Sequence, residues 1–232
     1  MKTILLGLLF IPFLASAQSD DTRELVVDKS PSQFKWEIGI NGGVNITNVS
    51  GLADSLSSVQ RFGSLYGASL TYHFNRFLAI KTDFDVENKG WTVNDVDVLA
   101  PDGITTITQD IKQNLDYFDI PAFFRLGFGN RVKFDFNFGP YFAFLTENRT
   151  FYTDANGVDI SVANELFDNF SKTDFGLVYG GGLDFAIGKR WSFGFDLLYE
   201  HGLKDITPEG LRNTSIDFDF GINYLFGAKK KK

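Results

Sequence analysis

Large apolar side chains recur at every second position over much of the chain. Trp191, Phe193, Phe195, Leu197 and Tyr199 alternate with Ser192, Gly194, Asp196 and Glu200. Ile216, Phe218, Phe220, Ile222, Tyr224 and Phe226 alternate with Asp217, Asp219, Gly221 and Asn223. Phe134, Phe136, Phe138, Phe142 and Phe144 oppose Lys133, Asp135, Asn137 and Gly139, while Leu78, Ile80, Phe84 and Val86 oppose Lys81, Asp83, Asp85 and Glu87. A period of two belongs to a strand whose faces meet different surroundings. In a third set, Gly176, Gly180, Gly182 and Ala186 share the polar side against Phe175, Leu177, Tyr179, Leu183 and Phe185. Small residues on the polar side suit the crowded inside of a narrow closed barrel. The bulky residues then face outward, where lipid accepts a Phe-rich band. The alternative is a soluble barrel with an apolar lumen, which would carry the charges on its outer face.

Eight strands are expected, near residues 34–46, 63–74, 77–91, 113–126, 131–144, 173–187, 191–201 and 213–226. Each supplies the roughly 9–11 residues that a tilted strand needs to cross hydrocarbon. Short turns at Asn75-Arg76, Gly127 to Asn130 and Gly188 to Arg190 alternate with long connections. These run from Thr47 to Phe62, Thr92 to Lys112, Leu145 to Lys172 and Gly202 to Arg212. Short turns on one side and long loops on the other are the plan of an outer-membrane barrel with periplasmic turns and surface loops. The expected fold is therefore all-β, an eight-stranded antiparallel up-and-down transmembrane β-barrel. Pro101-Asp102-Gly103 and Asn156-Gly157 are turn signals that would continue the neighbouring strands as hairpins above the membrane.

The amino terminus has its own pattern. Lys2, an apolar run from Ile4 to Leu14 and Ala15-Ser16-Ala17 form an export signal with cleavage after Ala17. The expected organisation is a cleaved signal peptide at 1–17, a periplasmic amino-terminal segment at 18–33, the barrel at 34–226 and a basic carboxy-terminal tail at 227–232. No window beyond Gln18 is long and apolar enough for a membrane helix.

Composition narrows the chemistry. The chain has 232 residues with 26 Phe and 23 Gly, which favours strands and turns over helices. With no Cys, disulfides, thiolate metal sites and a cysteine nucleophile are excluded. Two His and one Met leave little for a histidine-rich metal site. The formal charge of −7 moves to −8 once Lys2 leaves with the signal, which argues against nucleic acid as a partner.

Several strand motifs resemble the outer-membrane β-barrel family of Bacteroidota often called PorT-like, whose small barrels are similar to the eight-stranded OmpA and OmpX type. They are Gly39-Ile40-Asn41-Gly42-Gly43-Val44-Asn45, Tyr117-Phe118-Asp119-Ile120-Pro121, Tyr179-Gly180-Gly181-Gly182-Leu183 and the closing Tyr224-Leu225-Phe226. The resemblance covers nearly all of the mature chain and implies an architecture and a compartment, the cell outer membrane. It does not carry over the secretion role of the family's namesake. In this sequence four lysines follow the last aromatic strand.

The expected lumen is charged. Glu37, Asp83, Asp85, Glu87, Asp119, Asp135, Asp184, Asp196, Glu200, Asp217 and Asp219 face Lys35, Lys81, Lys89, Arg125 and Lys133. Tyr117, Phe123 and Tyr141 add bulk on the same side. An interior just wide enough for side chains makes this a polar plug, with a cation-attracting path or metal site as the alternative. Asp83, Asp85 and Glu87 share one strand face at the spacing of paired carboxylates, a spacing that any alternating strand produces. His73 is expected in the lumen near the periplasmic end. His201 sits beside Glu200 and, with Ser215 on the adjacent strand, would be the core of a lipid-acting hydrolase. Asp154 to Asp159 superficially resembles a calcium loop, but Val158 stands where an oxygen ligand is needed, which leaves a turn.

The sequence thus predicts no catalytic, cofactor-binding or metal residues and no cofactor. It predicts a non-enzymatic barrel with a plugged lumen, structural or surface-binding through its long loops. The expected partners are outer-membrane lipid and, through the loops, envelope proteins or surface ligands. The alternatives are the hydrolase, a small cation-attracting pore, and a component of an envelope or secretion complex.

Overall fold

Ten strands form one sheet that closes on itself in the computed structural model, which describes residues 34–51, 58–99, 106–153, 159–162 and 170–228. They are β1 (Phe34–Ser50), β2 (Ser58–Val59), β3 (Arg61–His73), β4 (Leu78–Leu99), β5 (Thr106–Gly129), β6 (Val132–Thr153), β7 (Asp159–Val162), β8 (Thr173–Ile187), β9 (Trp191–Gly202) and β10 (Arg212–Ala228). Eight of them are staves in the antiparallel ring β1-β3-β4-β5-β6-β8-β9-β10, which the β10–β1 pairing closes. The short β2 pairs with β4, and β7 pairs with β6. Closure leaves the barrel wall without a free edge, the condition for a sheet to stand in hydrocarbon.

The alternation in the sequence becomes the two faces of the wall. Ile40, Val44, Phe84, Phe124, Phe134, Phe136, Phe138, Phe142, Phe220 and Ile222 are exposed on the outside, whereas Asp83, Asp85, Asp119, Asp196, Asp217 and Asp219 are buried inside. At the short-turn end, Trp36 packs edge-on against Tyr72 at 4.7 Å between ring centres, and Trp191 lies 5.0 Å from Tyr224. Such rings form the girdle that borders an apolar band in an outer-membrane barrel. Phe195, 5.0 Å from Phe220, sits within that band. Replacing Phe195 with Arg is expected to cost about 2–4 kcal/mol of stability in refolding titrations into phospholipid vesicles. A cost near zero would show that this face does not meet lipid.

Turn chemistry fixes the tight ends. Asn75 Oδ1 accepts from the backbone N–H of Phe77 at 2.7 Å and of Leu78 at 2.9 Å, a local turn that joins β3 to β4. Gly188 takes φ +73° in the β8–β9 turn, a conformation that suits glycine. The inward glycines of β8 answer to close approach. A Cβ on Gly180 would lie 2.1 Å from the Leu197 carbonyl oxygen, and one on Gly182 would lie 2.1 Å from an Asp196 carboxylate oxygen.

The strands outrun their expected ends on the long-loop side. β4, β5 and β6 have 22, 24 and 22 residues, against 13 for β3 and 12 for β9. The β4–β5 ladder continues to Leu99↔Thr106, with a bulge between Val93 and Val96, and β6 and β7 pair from Thr150↔Val162 to Thr153↔Asp159. The expected hairpins are therefore present. Their turn residues, Pro101-Asp102-Gly103 and Asn156-Gly157, lie outside the described residues, as do 1–33 and Lys229 to Lys232. Lys35 departs from expectation: it is exposed, because regular alternation in β1 starts only at Trp36 and Glu37.

Candidate functional site

Strand β4 supplies the axis of the lumen. Ala79, Lys81, Asp83, Asp85, Glu87, Lys89, Trp91 and Val93 are all buried, one inward residue per strand repeat from the short-turn mouth to the long-loop end. The interior is layered around this series.

At the short-turn mouth His73 Nε2 stands 3.1 Å from Glu37 Oε2. Deeper in, Arg125 donates through Nη2 to Asp196 Oδ2 at 2.5 Å, through Nη1 to Asp184 at 3.3 Å and through Nε to Asn137 at 3.0 Å. Lys81 Nζ reaches Asp196 at 3.1 Å and Asp83 at 3.2 Å, and Asn137 Nδ2 donates to the other Asp196 oxygen at 3.0 Å. Asp196 thus receives two cations and an amide. Such charge-assisted contacts hold a buried carboxylate that would otherwise be costly to desolvate.

Above this layer lies a small cavity of about 20 Å³, lined by Asp83, Asp85, Glu87, Asp119, Glu200, Asp217 and Asp219 with Leu65, Pro121 and Leu198. Its upper wall is organised by Lys89, whose Nζ lies 3.0 Å from Glu87 and 2.8 Å from Asp119 and also bonds Glu200. Asn45 Nδ2 donates to Glu87 at 2.7 Å, and Asn41 Nδ2 donates to Asp85 at 2.8 Å and to Asp219 at 3.4 Å. Among the described residues, Glu87, Asp119 and Glu200 form the group whose carboxylate oxygens converge closely enough, within 4.8 Å, to share one ion. The Lys89 ammonium occupies the centre of that group.

Lys89 also lies 4.7 Å over the Tyr141 ring, so the charged layer grades into an aromatic one. Tyr141 donates to Asp174 at 3.2 Å, and Asn213 Nδ2 donates to Asp174 at 2.8 Å and to the Tyr117 oxygen at 3.2 Å. Beyond these, Val49, Trp91, Val93, Leu115, Ala143, Ile206 and Leu211 form an apolar cluster across the long-loop end. Ile206, from the β9–β10 loop, is fully buried in it and is tied by backbone bonds from Ser171 N–H to its oxygen and from its N–H to Leu211. A second apolar group, Phe123, Val178 and Leu198, fills the lumen beside the cavity.

The expected inward carboxylates all face the lumen, and Asp83, Asp85 and Glu87 share one wall of the cavity. Three features were not foreseen. Asp174 is a buried member of the polar network, Trp91 continues the inward face of β4, and Ile206 comes from a loop without periodicity. His201 and Ser215 do not meet: Ser215 is buried inside the barrel opposite Glu200, whereas His201 pairs with Thr214 on the outer face and stacks on Tyr199 at 6.3 Å. The hydrolase constellation is not assembled. The calcium-like run from Asp154 to Val158 lies outside the described residues. On the short-turn face, Arg76 packs 4.2 Å over Phe77, and Arg190 donates to the Tyr224 hydroxyl at 2.8 Å.

Comparison with known proteins places this architecture. Residues 17–207 match the family model described as the outer membrane protein beta-barrel domain. None of the curated proteins matches the sequence. Among solved structures, the chain is similar to the outer membrane protein OprG of Pseudomonas aeruginosa, at 14% identity over 86% of this chain and 100% of that one, with a TM-score of 0.47. It is similar to the Neisserial surface protein NspA, at 14% identity over 82% and 97% of the two chains, with a TM-score of 0.44. It is also similar to Ail, the attachment invasion locus protein of Yersinia pestis, in complex with the heparin analogue sucrose octasulfate. That match has 16% identity over 82% and 99% of the two chains and a TM-score of 0.41.

Proposed function

The chain belongs to the outer membrane protein beta-barrel family and resides in the outer membrane, and from that premise we propose that it is a closed, non-enzymatic barrel acting through the strands and loops it raises above the bilayer. The observation that carries this reading is the pairing of a filled lumen with an overlong set of strands. A span of about 9–11 residues crosses the hydrocarbon, yet β4, β5 and β6 are about twice that length. From Thr92 to Leu99 the β4–β5 ladder adds about 25 Å along the strand. This raised sheet is polar: Asn94, Asp95, Asp97, Thr106, Thr108, Thr146, Glu147 and Arg149 are exposed. Arg149 pairs with Asp116 at 2.8 Å, and Thr108 donates to Asp97 at 2.6 Å. Such a surface suits a polar or charged ligand, held by hydrogen bonds and charge rather than by apolar docking.

The same reading assigns residues 1–17 as the cleaved export signal, 18–33 as a periplasmic segment, 34–226 as the barrel and 227–232 as a basic periplasmic tail. It keeps the PorT-like resemblance as the finer family assignment, on the glycine-rich and aromatic strand motifs. The layers from Arg125 to Ile206 support a lumen that passes no solute of nutrient size. Planar-bilayer recordings of the folded protein are expected to show no sustained conductance. Porin-like steps from the wild type would overturn the closed-barrel reading and favour a cation-attracting pore.

A further inference from the structure

The four strands that rise from the short-turn rim begin alike. β1 opens with Lys35-Trp36, β4 follows Arg76-Phe77, β6 follows Arg131 and starts at Val132, and β9 follows Arg190 and starts at Trp191. In each pair a base precedes an apolar side chain on the outer wall, and Trp36, Phe77, Val132 and Trp191 are all exposed there. The bases are exposed as well, as is Lys189, and no ion pair reaches any of them among the described residues. Two of the guanidiniums are held at the level of the aromatic girdle. Arg76 packs 4.2 Å over the Phe77 ring, while Arg190 donates to the Tyr224 hydroxyl at 2.8 Å and lies 5.8 Å from the centre of the Phe34 ring. Backbone bonds fix the turns beneath them: the Arg131 carbonyl accepts from Ala186 N–H at 2.9 Å, and the Arg190 carbonyl from Leu225 N–H at 2.7 Å. The carboxylates of this end turn inward, where Glu37 meets His73, Asp184 meets Arg125 and Asp135 is buried. The exposed carboxylates Asp95, Asp97, Glu147, Asp205 and Glu209 all lie at the opposite end of the barrel.

We infer that this rim binds the phosphate groups of anionic phospholipids in the periplasmic leaflet, with the apolar member of each pair in hydrocarbon and its base among the headgroups. The inference rests on the outer-membrane barrel reading and adds the lipid that the barrel selects. Aromatic rings settle at the membrane interface, and a base one residue nearer the turn stands about 3.3 Å further out, toward the phosphates. A guanidinium meets a phosphate with paired N–H donors and tolerates contact with a ring, which suits Arg at three of the four positions. The apolar partner commits the site to a lipid rather than to a soluble phosphate, because it faces hydrocarbon. The charge of the whole chain, −7, works in the other direction. Its overall field repels anionic lipid, so a preference for such lipid has to come from the rim.

The test uses the full mature barrel, folded into nanodiscs of equimolar phosphatidylglycerol and phosphatidylcholine and then released into detergent. Native mass spectrometry identifies the lipids that stay bound. Wild type is expected to retain phosphatidylglycerol over phosphatidylcholine by about tenfold, a preference that falls as salt is raised. The Lys35→Gln/Arg76→Gln/Arg131→Gln/Arg190→Gln variant is expected to retain the two lipids equally. Arg149→Gln/Arg212→Gln, at the long-loop end, keeps the preference, as does a chain truncated after Ala228. Soluble glycerol phosphate is expected to leave the lipid in place, and displacement by it would overturn the choice of a lipid over a free phosphate. Folding is read independently from heat-modifiable gel mobility. A barrel that folds but shows no preference, or a folded rim variant that keeps it, overturns the rim site alone. A preference that appears only when residues 18–33 are removed gives the rim to that acidic segment instead, and one that vanishes with Lys229 to Lys232 gives it to the tail. Wild type that never reaches a heat-modifiable form overturns the barrel reading and the rim together.

Discussion

Replacing Lys89 with Met is expected to destabilise the barrel by about 3–5 kcal/mol, the cost of breaking a buried charge cluster by removing one partner. The side chain of Lys89 is buried, and its ammonium is the shared counter-charge of Glu87, Asp119 and Glu200. Met fills most of the same volume without the charge, so the loss reports electrostatics rather than a cavity. Urea titrations into vesicles, followed by tryptophan fluorescence, measure it. Two controls isolate the cause. Adding Glu87→Gln and Glu200→Gln to Lys89→Met is expected to recover much of the loss, because it removes the charges left unpaired. Refolding Lys89→Met with Mn²⁺ is expected to recover part of it, since the three oxygens already converge within 4.8 Å. If Lys89→Met matches wild type in all conditions, the ammonium is not what holds this layer together.

The difference between what the sequence foretold and what it left hidden follows from the geometry of a barrel wall. Each strand reports its own two faces locally, which is why Phe134 to Phe144 and Asp217 to Asp219 could be assigned to lipid and lumen one strand at a time. Which inward residues meet is set by the stagger between strands. Nothing local in the sequence joins Lys89 to Asp119, 30 positions on, or to Glu200, 111 positions on. Two further inward residues of β4 were readable in principle: Trp91, at the last position of the expected strand, and Val93, two residues beyond it, keep the parity of Lys81 and Asp83. Asp174 has inward parity too, but it is the second residue of β8, next to a long loop where alternation is just beginning. Ile206 carries no periodic signal at all; its burial depends on the β9–β10 loop folding back over the lumen, held by Ser171 and Leu211. Lys35 shows the same limit from the other direction, since parity persists in a sequence after the strand has left the packed wall.

Arg125→Ala is expected to cost about 3–5 kcal/mol as well, and to leave the barrel non-conducting. The guanidinium is a hub: Asp196, Asp184 and Asn137 each accept from a different nitrogen. Its removal leaves Asp196 with Lys81 and Asn137, but takes from Asp184 its one close cation among the described ion pairs. Ala also opens space at that level, so the variant tests whether the lumen is blocked at one constriction or along its length. The layers above are independent of Arg125: the Lys89 cluster, the Tyr117–Asp174–Asn213 network and the apolar group around Trp91 and Ile206 share no hydrogen bond or ion pair with it. Stability should therefore fall while single-channel recordings stay silent. Conductance appearing in Arg125→Ala would reduce the plug to one gate at the level of Asp196, and would make the acidic chamber above it part of a cation path.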